Sequence, residues 1–280
     1  MTDDSNTPQG QPNKSLLQGT WIGTGILVGL ALFAALLYIT RRAVAENKRR
    51  EKALQDYFDT LSDLTLKERL ENHEQRSVIQ AIARSRTLTT LRGLDGQRKG
   101  SLVQFLKQSG LIDKEQPIVS LGGANLSRAE LNKADLSAAD LSGTNLSRAN
   151  LIKANLGRAD VNHANLTRGN LIEANFSEAS LIRADFSRAN LIRADFSRSD
   201  LRQADFSKSN LIGANLTEAN LTAADFSRAN LIGARVSQEQ LAAARSLKGA
   251  TLPDGMKAPE DEKAEHQTSG NRDAQGEGAE

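Results

Sequence analysis

Residues 181–200 read LIRADFSRANLIRADFSRSD and place a bulky apolar residue at every fifth position: Leu181, Phe186, Leu191 and Phe196. The spacing runs unbroken from Leu121 to Val236 and gives twenty-four centres, among them Leu126, Leu131, Leu136, Val161, Phe176, Phe206 and Phe226. Two residues before nearly every centre stands Ala, relaxed to Thr144, Gly169, Ser199 and Ser209, and between the two comes Asn or Asp. On a helix, centres five apart fall roughly 140° from one another and scatter around the barrel instead of forming a stripe. In a straight strand they would point to opposite faces in turn. What remains is a chain that keeps the small residue and its centre inside and turns a corner with the other three, so that each pentapeptide is one side of a coil.

The outward positions give the number of sides. Two residues after the centre, Arg128, Arg148, Arg168, Arg188, Lys208 and Arg228 recur twenty apart, while Ala138, Glu178, Gly213 or Glu218 stand on the sides between. Ile152, Ile172, Ile192, Ile212 and Ile232 form a second such column, and Asn150, Asn170, Asn190, Asn210 and Asn230 a third. Four sides per turn follow, and twenty-four centres make about six coils. At the roughly 4.8 Å spacing of neighbouring strands the rod is about 29 Å long. The five Phe centres fall on two opposite sides, which predicts two aromatic columns in the core.

Runs such as SRANLIRADF, residues 187–196, resemble the pentapeptide-repeat family, whose pattern is Ala, Asp or Asn, Leu or Phe, then two variable residues. The resemblance implies an all-β solenoid, a right-handed quadrilateral β-helix with the Ala and Leu or Phe positions inside. Ser180, in place of the acid or amide, is a mild departure, and Arg235 ends the pattern. The stretch from Arg84 to Ile112 resembles a segment that precedes the repeats in membrane-anchored pentapeptide proteins of cyanobacteria.

Outside the repeats, residues 1–19 are polar and read as a disordered tail. Trp21 to Thr40 carries no charge over twenty residues. As a helix it would cover about 30 Å, the hydrocarbon thickness of a bilayer, so residues 20–40 are expected to form one transmembrane helix. A cleaved signal peptide fits less well, because the run is too long and Arg41-Arg42 follows it directly. Arg41, Arg42, Lys48, Arg49, Arg50 and Lys52 follow the span against Lys14 alone before it, which places the C-terminal bulk on the cytoplasmic side and offers candidate contacts to anionic headgroups.

Residues 41–113 show helical stripes, Leu54, Phe58 and Leu61; Val78, Ile79 and Ile82, then Leu88 and Leu91; Leu102, Phe105 and Leu106, with breaks at Gly93 to Gly96, Gly100 and Gly110. This juxtamembrane module is expected to cap the first coil with its last helix. The repeats occupy 119–236. Ser237 to Gln240 reads as a capping box opening a short helix within a C-terminal cap, 237–256, and 257–280 is an acidic tail.

Catalysis or metal binding needs convergent groups. The chain lacks Cys, and His73, His163 and His266 are isolated, so no catalytic residue, cofactor, metal or small-molecule substrate is expected. Asp185, Asp205 and Asp225 form a column, which is read as turn residues accepting backbone N–H groups. Two surface features stand out. The basic column from Arg128 to Arg228 is a candidate ladder for anionic headgroups or an acidic protein, unless those three Asp neutralise it. The Ile column is a candidate face for a protein partner or a second copy of the chain. Nucleic acid is not expected, since the repeats are near neutral and offer no outward aromatic residues. The expected function is a membrane-anchored, non-enzymatic scaffold. A DNA mimic that binds topoisomerase, which some family members are, would need an acidic rod, and an accessory or sensor would need a polar pocket among the helices.

Overall fold

A computed structural model describes residues 44–61, 73–112 and 117–260. The expected membrane span at 21–40 lies outside the described residues, as do Arg41, Arg42 and the tail from 261 onward. No helix among the described residues is long and apolar enough to cross a membrane. The chain divides into two units, Met1–Gln55 and Asp56–Glu280.

In the rod each pentapeptide contributes one residue to a parallel bridge and one tight turn. The bridges keep a register of twenty: Asn125 pairs with Asn145, Asn150 with Asn170, Asp185 with Asp205. The Leu126 N–H donates to the Asn145 carbonyl at 2.8 Å, and the Asn145 N–H donates back to Ala124 at 2.9 Å. Four such sides close one coil of the β-helix that the repeat implies.

The corners are where the sequence left most unsaid. A hydrogen bond such as Ala129 N–H to Leu126 O, 3.0 Å, closes each turn. Its third residue takes a φ of 56° to 61° at nineteen non-glycine positions, and Gly123, Gly143, Gly213 and Gly233 occupy the equivalent place elsewhere. A turn of type II requires positive φ there. At most corners the Asn or Asp before the centre adds support, as its side-chain oxygen accepts the N–H two residues on: Asn125 from Ser127 at 3.1 Å, Asp185 from Ser187 at 2.8 Å. The Ile column lies in these turns, at the residue just after the centre, and not on a strand face.

Inside, the Ala and centre positions are buried from Leu121 to Leu231 almost without exception. Where Thr144, Ser199 and Ser209 replace Ala they too are buried, and each hydroxyl donates to the carbonyl three residues back, at 2.7, 2.6 and 2.6 Å. The polar substitutes therefore leave no unpaired group. The phenylalanines form the two expected columns: Phe176 on Phe196, and Phe186 on Phe206 on Phe226, each step 5.0 Å between centroids and within 5° of parallel. Across the core the columns meet edge to face at 5.5 to 5.6 Å.

Among the described residues three helices precede the rod: α1 (44–61), α2 (His73–Gly93) and α3 (Gly96–Gln108). Asp95 caps α3 by accepting the Arg98 N–H at 3.0 Å. The buried face of α2 runs through Ile79, Ala83, Thr87 and Leu91, and the Thr87 hydroxyl meets that of Tyr57 at 2.7 Å. This shifts the expected stripe: Val78 and Ile82 lie outside it, 57% and 43% exposed. The Phe105 ring is at the rim of α3, packed edge-on to Phe58 at 4.6 Å.

The last helix lies against the first coil through a chemistry absent from the sequence reading. The lower edge of that coil presents carbonyls, and basic side chains of the module donate to them: Lys99 to Ser127 at 3.0 Å, Lys107 to Ser137 at 3.0 Å, Arg84 to Gly122 at 2.8 Å. Two backbone carbonyls of the module accept in turn, Gly96 O from the Glu130 N–H at 2.9 Å and Leu111 O from the Val119 N–H at 2.8 Å. Gly100 is no helix break. It lies inside α3, and a Cβ there would stand 1.9 Å from the Glu130 carbonyl oxygen; at Gly96 it would stand 2.0 Å from that of Arg128. The two glycines, one turn apart, let the helix lie directly on the coil.

At the other end α4 (Gln238–Ala242) opens with the expected capping box, and the Gln240 side chain also donates to Leu216 and Ala219 carbonyls at 2.7 and 2.8 Å. Beyond it the coil resumes where Arg235 was expected to end the pattern. Asp225 pairs with Ser246 and Asn230 with Thr251, a register of twenty-one, because α4 inserts one residue. An antiparallel pairing of Thr251 with Lys257 then closes the edge.

Candidate partner-binding face

Each corner of the rod carries one column of residues in the left-handed turn position, and the corners differ in how far their charges are paired along the axis. Arg158 pairs with Glu178 at 2.9 Å and Arg198 with Glu218 at 3.0 Å on one corner. Lys153 pairs with Glu173 at 3.3 Å on another. On a third the Arg183 guanidinium donates to Gln203 at 2.6 Å. The fourth corner is the ladder from Arg128 to Arg228, all six side chains exposed. Among the described residues only Arg228 has a carboxylate within reach, Glu260 at 3.8 Å.

The neutralising role considered for Asp185, Asp205 and Asp225 is not what they do. Each accepts a backbone N–H, from Ser187, Ser207 and Ser227 at 2.8, 2.7 and 2.8 Å, and Asp225 pairs with Arg245 at 2.8 Å, not with the ladder. Burial pushes the Asp225 carboxyl up, but the Ser227 hydroxyl and N–H and the Arg245 charge outweigh it and hold the group below its ordinary value. At the foot of the ladder, burial and the Arg128 charge push the Lys99 ammonium below its ordinary value, with Asp95 opposing them.

From the ladder the chain turns onto a side whose outward columns are Asn150 to Asn230 and then Ile152 to Ile232. Ile152, Ile172, Ile192 and Ile212 are half-buried, each shielded by the rungs above and below, and Ile232 at the upper end is 43% exposed. Asn150 Nδ2 donates to Glu130 at 2.9 Å, whereas the Asn170 and Asn190 side-chain oxygens have no partner. The structure thus joins two features that the sequence offered separately, a basic edge and an apolar strip, on one side of the rod.

The remaining candidates stay apart. Lys48, Arg49 and Lys52 are exposed on α1, while Arg50 is half-buried and lies 3.8 Å from Glu46. His163 occupies an outward left-handed corner, φ 58°. Among the described residues no group of His, Cys, Asp or Glu could hold a metal ion.

A family model described as pentapeptide repeats matches eight copies, at residues 119–148, 129–168, 170–207 and 199–238. HetL, a pentapeptide repeat protein involved in heterocyst differentiation regulation in the cyanobacterium Nostoc sp. strain PCC 7120, is 36% identical over 50% of this chain and 70% of its own, with a TM-score of 0.23. The chain belongs to the pentapeptide-repeat family. This pentapeptide rod is also similar to Rfr23 of the cyanobacterium Cyanothece 51142, 30% identical over 38% of this chain and 63% of that one, TM-score 0.22. A pentapeptide repeat protein of the Arabidopsis thaliana thylakoid lumen is 27% identical over 44% of this chain and 83% of that one, TM-score 0.26. None of the curated protein sequences is significantly similar to the chain. Proteins built on the pentapeptide rod are in general structural or interaction proteins.

Proposed function

We propose that the protein is a membrane-anchored, non-enzymatic scaffold whose pentapeptide rod presents its Asn–Ile side to another protein on the cytoplasmic side of a membrane. The observation that carries the reading is the difference between the corners: one pairs both of its Arg with Glu, while the ladder corner keeps six exposed cations and no acid beside a strip of Ile. The packed interior supports a binding rather than a catalytic role, because Leu, Phe and Ala fill it without a cavity for a substrate. Anchoring rests on the uncharged run 21–40 and the basic flank from Arg41 to Lys52.

Two experiments test this. Alkaline extraction of membranes is expected to leave the full chain in the pellet and to release a form lacking residues 1–40; release of the full chain argues against an anchor. Chemical cross-linking in those membranes is expected to give a discrete adduct, with a partner or a second copy, that disappears when Ile152, Ile172, Ile192, Ile212 and Ile232 are replaced by Ser. The same adducts from both folded forms, or none, would remove the Ile column from the account.

A further inference from the structure

The Asn–Ile side has a period, and the period selects the shape of what fits it. We infer that its occupant is an acidic amphipathic α-helix of a different protein, laid along the rod axis with an apolar stripe on the Ile column and Asp or Glu residues toward the Arg ladder. This rests on the scaffold reading above and gives that scaffold a partner chemistry.

Successive coils are 5.0 Å apart where the stacked Phe rings report it. An α-helix repeats each side-chain row every 5.4 Å or so. The two differ by about 0.4 Å per turn, and over the four steps from Ile152 to Ile232 the drift is about 1.6 Å, within the reach of an Arg side chain. An extended strand repeats a face every 6.6 Å or so and falls out of step with the rungs at once. The matching helix segment is about 13 residues, or nearly four turns. Its width of about 10 Å suits a side bounded by the ladder at one corner and the Ile column near the other.

Charge decides against a second rod. Beyond the Ile column the next corner holds Lys133, Lys153 and Arg193 with Glu173 the only acid, so both borders of the side are basic. Two copies packed face to face by a two-fold axis would oppose basic borders in either orientation. The helices α2 and α3 are themselves basic, with Arg76, Arg84, Arg86 and Arg92 on the first and Arg98, Lys99 and Lys107 on the second, and do not complement the ladder.

The test uses the full chain in detergent and labelled peptides of about 18 residues read by fluorescence anisotropy. One peptide places Leu at helical positions i, i+3, i+4 and i+7 with Glu on the flanking row; a second scrambles the same composition; a third has Lys in place of Glu. The first is expected to bind, more weakly as salt rises, and the other two to bind at least about tenfold less. The triple variant R148E/R168E/R188E is expected to reverse the preference between the Glu and Lys peptides, and I172S/I192S/I212S to weaken the Glu peptide about tenfold. Equal binding of the scrambled or Lys peptide to the unaltered protein overturns the inference without any protein variant. Binding of phosphatidylserine vesicles with no binding of the Glu peptide overturns it in favour of a lipid surface. If the peptides fail while cross-linking still captures a protein on the Ile column, the helix inference falls and the scaffold stands; if both fail, both fall.

Discussion

At the scale of the residue, the rod depends on a conformation that L-amino acids ordinarily avoid, at a cost of roughly 1–2 kcal/mol per residue in a left-handed helix. Here it recurs at nineteen non-glycine positions, each held by a closing hydrogen bond and most by an Asn or Asp acceptor as well. A β-branched side chain is the least compatible with that backbone. Ala223→Ile is therefore expected to lower the melting temperature, by about 1–2 kcal/mol of stability, while Ala223→Gly is expected to be nearly neutral; the two are compared by thermal unfolding. The sequence barely announced these corners, because Arg, Lys, Glu, Gln, His and Ala all occupy them and only the four glycines hint at the strain. The acceptors add a pH dependence. Burial works against the Asp140 carboxylate, but the Ser120 and Ser142 hydroxyls, the Ser142 N–H and the Arg84 charge hold it below its ordinary value, as the Ser227 and Arg245 groups do for Asp225. A carboxyl whose folded value is depressed stabilises fully above its unfolded value and loses that contribution as pH falls through the folded one. The melting temperature is expected to stay level from neutral pH to about 5 and to drop below about 4, and to drop less in the double variant D140N/D225N, which keeps an acceptor oxygen at each corner.

At the scale of the element, the aromatic columns and the α3 cap carry the clearest consequences. Phe206 is fully buried and stacked on both sides, so Phe206→Ala is expected to cost about 3–5 kcal/mol in denaturant unfolding, and more than Phe176→Ala, which has a single stacked neighbour. That column was legible because the five Phe share two of the four residue classes. The helices were legible as helices but not in their packing. Val78 and Ile82 looked like core and are exposed, since Thr87, a polar residue, takes the inner face by bonding Tyr57 and Ala83. Gly100 looked like punctuation and is instead a point of contact between backbones, which a reading of one strand of sequence cannot show. Gly100→Ala is expected to destabilise the capped rod by about 1–3 kcal/mol, whereas Gly93→Ala, which meets nothing within 4 Å, should be neutral or slightly stabilising; hydrogen exchange at the first coil separates them.

At the scale of the whole molecule, a solenoid is as sound as its ends. The lower edge is covered by Lys99, Lys107, Arg84 and the Gly96 carbonyl, the upper by α4 and the pairing of Thr251 with Lys257. A rod expressed without residues 1–113 is expected to associate with increasing concentration in sedimentation, because its first coil would present an open edge. The basic ladder and the Ile strip were two separate clues until the register of twenty set them on one side. That side is the centre of the functional account. The most direct measurement is photo-crosslinking in native membranes with the reactive residue at position 192, on the Ile column, and in parallel at position 222, on the opposite side of the rod. The account predicts one discrete protein adduct from 192 and none from 222; equal adducts from both, or an adduct from 222 alone, would contradict it.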